Sequence, residues 1–224
     1  MEKKLFWKSI QSQVFLTGLL ILPVLTGCGS GGGDSTNPVD QDCRSTAVYP
    51  NQATSEYLLP WTVGETYQVG QGNCTEFSHN TTNNQQFAYD FFMPIGTQIR
   101  AARSGTVAAV KGDASDGTGV SGQENYIFIE HTDGSIGRCA HLTKFGALFE
   151  VGDIVEQNEL IALSGNTGAS TAPHLHFDVH DGNCPILSID CHPLEVTFRN
   201  TTAHPNGLVE GNSYTATPFA VNGQ

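Results

Sequence analysis

Asn125-Tyr126-Ile127-Phe128-Ile129-Glu130-His131, followed almost at once by Asp133-Gly134, is the stretch that decides the fold. It is a short run of aromatic and β-branched residues that ends in a tight-turn dipeptide. Such a run reads as a strand entering a hairpin, with Ser135 to Leu142 as the returning strand. Working outward, the same grammar recurs. Thr106-Val107-Ala108-Ala109-Val110 follows Gly105, and Ile154-Val155 precedes Leu160-Ile161-Ala162-Leu163. That last run stops at Ser164-Gly165-Asn166-Thr167-Gly168, and His174 to His180 forms a further strand. No long segment after the N-terminal apolar stretch carries helical periodicity. Short strands punctuated by turn signals predict an all-β domain built on an antiparallel sheet with long loops.

Within that frame, Pro173-His174-Leu175-His176-Phe177 carries the chemistry. Side chains at i and i+2 of a strand point to one face, so His174 and His176 look into a common space while Leu175 and Phe177 pack the other way. One imidazole can then bind a metal while the other stays free for acid–base work; a pair of surface histidines on a half-exposed strand fits the same letters. Asp90 stands alone in the apolar run Phe87-Ala88-Tyr89-Asp90-Phe91. A buried carboxylate is costly unless compensated, so Asp90 needs a cation, a metal or several donors. His141 ends a predicted strand in Ala140-His141-Leu142, and His79 follows Phe77-Ser78 ahead of a polar Asn/Thr loop.

Taken in order, His79, Asp90, Ala140-His141-Leu142 and His174-Leu175-His176 resemble the M23 zinc metallopeptidases, the LytM or lysostaphin-like peptidoglycan endopeptidases. Framework stretches agree, among them Tyr89-Asp90-Phe91-Phe92-Met93-Pro94-Ile95-Gly96-Thr97, Ala101-Ala102-Arg103-Ser104-Gly105-Thr106-Val107 and Leu163-Ser164-Gly165-Asn166-Thr167-Gly168. The resemblance spans about residues 76–180. It implies a LytM-like fold, with His79, Asp90 and His176 as ligands of a Zn2+ ion and one coordination position left for solvent. Three protein ligands with an open position mark a catalytic rather than a structural zinc. His141 and His174 correspond to the two non-ligand histidines, suited by their intrinsic pKa to proton transfer near neutrality. The implied activity is hydrolysis of the peptide cross-links of bacterial peptidoglycan, whose peptides are then the substrate. An alternative reading is a catalytically impaired LytM-type module that regulates other wall hydrolases; an enzyme acting on a non-wall protein is a third.

Two departures from the family pattern stand out. The first ligand commonly lies four residues before the aspartate, where this chain has Gln86; His79, eleven residues before Asp90, is assigned instead. Cys139 replaces the aromatic often found two residues before the middle histidine; on a regular strand it would share the face of His141, and it reads as a small packing residue. Of the other histidines, His131 beside the Asp133-Gly134 turn is expected to be exposed, His180 lies far along its strand, and His192 and His204 fall in loops.

The ends indicate the compartment. Lys3, Lys4 and Lys8 precede an interrupted apolar run that ends at Leu25-Thr26-Gly27-Cys28, the form of a bacterial lipobox. Residues 1–27 therefore read as a lipoprotein signal peptide and Cys28 as the lipidated residue, anchoring the protein to the membrane at the cell envelope, on the periplasmic face of the outer membrane in a Gram-negative cell. Residues 28–42 read as a Gly/Ser-rich tether, 43–199 as the peptidase domain and 200–224 as a loosely packed polar tail. The chain carries 10 Lys+Arg against 22 Asp+Glu; removing residues 1–27, with three Lys and one Glu, leaves 7 against 21, a net of −14. That sign excludes nucleic acid as a partner held through phosphates. Cys184 and Cys191 are the first disulfide expected, Cys43 and Cys74 can form a second, and Cys139 is left over.

Overall fold

The computed structural model of the protein describes residues 40–187 and 191–220. The expected signal peptide, Cys28 and most of the tether lie outside the described residues. Within them no helix is long and apolar enough to cross a membrane.

A short helix, α1 (Gln41–Thr46), opens the described chain, its N-terminus capped by the Asp40 carboxylate, which accepts from the Cys43 N–H. Eleven strands follow: β1 (Thr66–Gln71), β2 (Tyr89–Phe92), β3 (Gln98–Arg100), β4 (Gly105–Lys111), β5 (Tyr126–Glu130), β6 (Ile136–Ala140), β7 (Leu142–Ala147), β8 (Ile154–Val155), β9 (Leu160–Ser164), β10 (His174–His180) and β11 (Ser213–Thr215). Eight of them form one antiparallel sheet in the order β11-β1-β2-β10-β6-β5-β4-β8, and β3-β9-β7 form a second. The domain is all-β and antiparallel, as the strand grammar predicts.

The two sheets share a core. Val69, Phe91, Ile127, Cys139, Leu175 and Phe177 from the large sheet cluster with Ile99, Leu142 and Ile161 from the small one. In β10 this takes up Leu175 and Phe177, and alternation sends His174, His176, Asp178 and His180 to the opposite face. Burial of the apolar set therefore fixes where the imidazoles point. A slip of one residue in β10 would expose Leu175 and Phe177 and bury the histidines in the core.

The expected hairpin forms, with β5 paired to β6 and Gly134 in the left-handed region at φ 85°. The returning strand differs from its predicted extent. It ends at Ala140, because His141 takes φ 60°, and the chain crosses to the small sheet as β7. Because of that turn Cys139 and His141 do not share a face. Cys139 pairs with Phe177 in register and is buried in the core as a free thiol, in keeping with the packing role. His131 is not exposed. At 5% exposure its Nδ1–H donates to the Ser104 carbonyl at 2.9 Å, and burial pushes its pKa down to about 4.

The polar tail is packed as well. β11 pairs with β1, Leu208, Tyr214 and Ala216 are buried, and the Leu208 N–H donates to the Tyr89 hydroxyl at 3.0 Å. His204 is in a loop but is buried there, its Nε2 accepting from the Phe198 N–H at 3.0 Å. Polar composition misled here, because a short edge strand needs few apolar residues to be held by its neighbour. Both anticipated disulfides are present, Cys43–Cys74 with Cα atoms 5.5 Å apart and Cys184–Cys191 with 5.3 Å.

Candidate metal centre

Strand register builds one wall of the site. β10 and β2 run antiparallel with His176 opposite Asp90, so both side chains leave the sheet on one face. His176 Nδ1 lies 3.0 Å from Asp90 Oδ1, and His174 Nε2 lies 3.6 Å from the same oxygen. Burial alone would raise the Asp90 pKa, but His79 and His176 hold it well below the usual carboxylate range.

The other wall is a loop. After β1 the chain must fold back to bring His79 over Asp90, and several contacts hold it there. Cys74, at φ 56°, is tied to α1 through its disulfide, and its N–H donates to the Gln86 carbonyl at 2.7 Å. The Thr75 N–H donates to the His79 carbonyl at 2.9 Å, and the Gln71 side chain lies within hydrogen-bond reach of Thr75 and Ser78. The His79 Nδ1–H donates to the Gly72 carbonyl at 3.1 Å, which turns Nε2 toward Asp90 Oδ1, 3.4 Å away. Gln86, at the usual spacing of the first ligand, thus serves through its backbone.

One ligand atom each from His79, Asp90 and His176 lie within 4.8 Å of one another. His79 is 1% exposed and its Nε2 has no hydrogen-bond partner. A buried polar atom left unpaired is costly, and a cation at this point would satisfy it. Two nitrogens and a carboxylate oxygen form a donor set suited to zinc. The residues present therefore fit a divalent ion. Burial works to lower the His176 pKa, yet hydrogen bonds with Asp178 and Asp90 raise it to about 9, a second sign that the site favours positive charge.

His141 and His174 stand beside this trio, with ring centroids 4.5 Å apart. The left-handed backbone at His141 brings its ring to the His174 side, and Asn125 clamps that turn. Its carbonyl accepts from the Leu142 N–H at 3.1 Å, and its side-chain Nδ2 donates to the carbonyls of Leu142 and Thr143 at 3.2 Å each. The His141 Nδ1–H donates to the Thr167 carbonyl at 2.7 Å. The His174 Nδ1–H donates to the Ala172 carbonyl at 2.8 Å, with the Ser170 hydroxyl at 3.1 Å. Each imidazole thus has its Nδ1 engaged by a backbone carbonyl, while the His174 Nε2 faces Asp90 Oδ1. Burial, then the neighbouring His174 and His176 rings, push the His141 pKa down to about 4.

All five residues singled out in the sequence converge on one place. Sequence reading passed over what stands behind them. Asn125, Thr167 and Ser170 brace the His141 and His174 segments, while Asp178 and Arg138 sit behind His176, whose Nε2 lies 3.2 Å from Asp178 Oδ2. A signal was available for Asp178, a charged residue sharing the β10 face with His174 and His176. His180, set aside as too distant, reaches the same oxygen at 3.3 Å.

Residues 84–187 match the sequence family described as Peptidase family M23. His79 lies upstream of that match. Among curated proteins, the chain is 37% identical over 90 residues to peptidoglycan DD-endopeptidase ShyA of Vibrio cholerae, covering 40% of this chain and 19% of that one. It is 40% identical over 92 residues to glycyl-glycine endopeptidase ALE-1 of Staphylococcus capitis, covering 41% and 23%. Among solved structures, the catalytic domain of the antimicrobial peptidase lysostaphin from Staphylococcus simulans is 30% identical, covering 56% of this chain and 84% of that one, with a TM-score of 0.38. The chain spans about a fifth of the length of the curated relatives it matches. Residues 84–187, which hold Asp90, His141, His174 and His176, are therefore a domain of peptidase family M23.

Proposed function

We propose that this protein is a zinc-dependent endopeptidase that hydrolyses peptide cross-links of bacterial peptidoglycan. The observation that carries the reading is the convergence of His79, Asp90 and His176, with the buried His79 Nε2 facing Asp90 and making no hydrogen bond. Two matched relatives bear names that specify endopeptidases, one of them acting on peptidoglycan, which supports the substrate class. A site with all three ligand positions filled counts against an impaired regulatory module.

His79, Asp90 and His176 would hold the ion, which when bound supplies the Lewis acidity that makes water nucleophilic near neutral pH. The protein's own part is proton handling and placement. His141 is neutral through the physiological range, so its free Nε2 can accept a proton. His174 is fixed by the Ala172 carbonyl and presents its Nε2 on the Asp90 side, placed to donate to an oxyanion or to accept a proton. The ring centroids of His141 and His174, 4.5 Å apart, bring both imidazoles to bear on one reacting carbonyl. Residues 43–199 constitute the peptidase domain in this reading, with the tail completing its sheet. Cys28 carries the lipid that holds the protein at the envelope, within reach of the wall.

Purified protein should bind about one zinc per chain and release soluble peptides from sacculi. Zinc-free protein with full activity, or an active His176→Ala variant, would refute the enzyme. For the anchor, Cys28→Ser should move the protein from the membrane fraction to the soluble fraction; unchanged membrane association would refute lipidation.

A further inference from the structure

We propose that Asp178, seated by Arg138, is the positioning residue that prepares His176 to receive the metal, an inference that rests on the metal site proposed above. The register of β10 and β6 sets Asp178 opposite Arg138, next to the His176–Ala140 pair. Asp178 is fully buried, and Arg138 engages both of its oxygens, Nε donating to Oδ1 at 2.6 Å and a terminal nitrogen to Oδ2. Asp178 Oδ2 also faces His176 Nε2 at 3.2 Å and His180 Nε2 at 3.3 Å.

Stability alone does not account for this arrangement. A buried ion pair can commonly be exchanged for apolar residues of similar volume at no loss, because desolvation offsets the attraction. Seven consecutive residues of β10 are buried, so an apolar pair would suit the strand. What an apolar pair would not supply is an acceptor for His176.

His176 stands between two carboxylates, Asp90 at Nδ1 and Asp178 at Nε2. A neutral imidazole carries one proton. If it sits on Nδ1, it points at Asp90 and blocks the nitrogen that faces His79 and Asp90. If it sits on Nε2, Nδ1 offers its lone pair to the ion. Asp178 offers an acceptor to Nε2–H and fixes the plane of the ring, and Arg138 holds Asp178 in place through both of its oxygens. Partners of this kind typically change metal affinity by 10- to 100-fold.

The test replaces the pair so that no buried charge is left alone. Arg138→Leu/Asp178→Leu should fold, judged by circular dichroism and by the melting temperature of metal-free protein. Its zinc affinity in chelator competition should fall by about 10- to 100-fold. Arg138→Leu/Asp178→Asn restores an acceptor and should recover most of that loss, which a packing role would not produce. In zinc-loaded wild-type protein, NMR should show the His176 Nε2 proton protected from solvent exchange. That measurement stands even if the leucine pair does not fold. Wild-type affinity in the leucine pair, no recovery with asparagine, or a freely exchanging Nε2 proton would each overturn the role of Asp178. Zinc binding by none of the proteins, wild type included, would overturn the metal site itself and this inference with it.

Discussion

The two walls of the site are made in different ways. The β2–β10 wall is placed by register: core burial of Phe91, Leu175 and Phe177 leaves Asp90, His174 and His176 no other face to occupy. The His79 wall is a loop with no such periodicity, and it is held by a disulfide and a set of backbone and side-chain hydrogen bonds. A sheet gives precision as a by-product of folding, whereas a loop must be pinned contact by contact. The loop wall should therefore be the softer of the two.

Breaking the sheet wall should have the largest effect. His176→Ala removes one of the three proposed ligands, and zinc binding and sacculus digestion should both be lost; retained zinc by elemental analysis would contradict this. His174→Ala should lower turnover by about 10²- to 10⁴-fold while leaving most of the zinc in place. An equal loss of metal and turnover would place His174 among the ligands.

His131 tests both walls together from outside the site. Its folded pKa of about 4 lies below the ordinary 6.5, so the unfolded chain takes up the proton first as pH falls. The stability it allows is complete above about pH 6.5 and declines as pH drops through about 4, by roughly 3 kcal/mol in total. His131→Phe should flatten that acid limb in denaturant titrations, even though it gives up the hydrogen bond to Ser104. An unchanged slope between pH 6.5 and 4 would show that His131 is not the group responsible.

The smallest effect on the site, and the one that separates the walls, is expected from Cys43→Ala/Cys74→Ala. Opening this cross-link, which spans 31 positions, should cost about 3–4 kcal/mol of global stability. In the protein that remains folded, it should weaken zinc binding by about tenfold, through His79 alone. The β2–β10 wall should keep its amide-exchange protection while the 74–86 loop loses its own. Equal loss across both walls would mean that the loop is no softer than the sheet.

Sequence alone determined what local periodicity can express. Alternation in β10 put His174 and His176 on one face, the Asp133-Gly134 turn set the hairpin, and a lone Asp90 in an apolar run demanded a cation, a metal or several donors. The tertiary structure decided the rest. The delivery of His79, the left-handed turn that frees His141 from its strand, the burial of His131 and the Arg138–Asp178 support all depend on segments distant in the chain. Each rests on pairing across strands or on loop closure, and a residue's near neighbours carry little information about which distant strand will lie beside it.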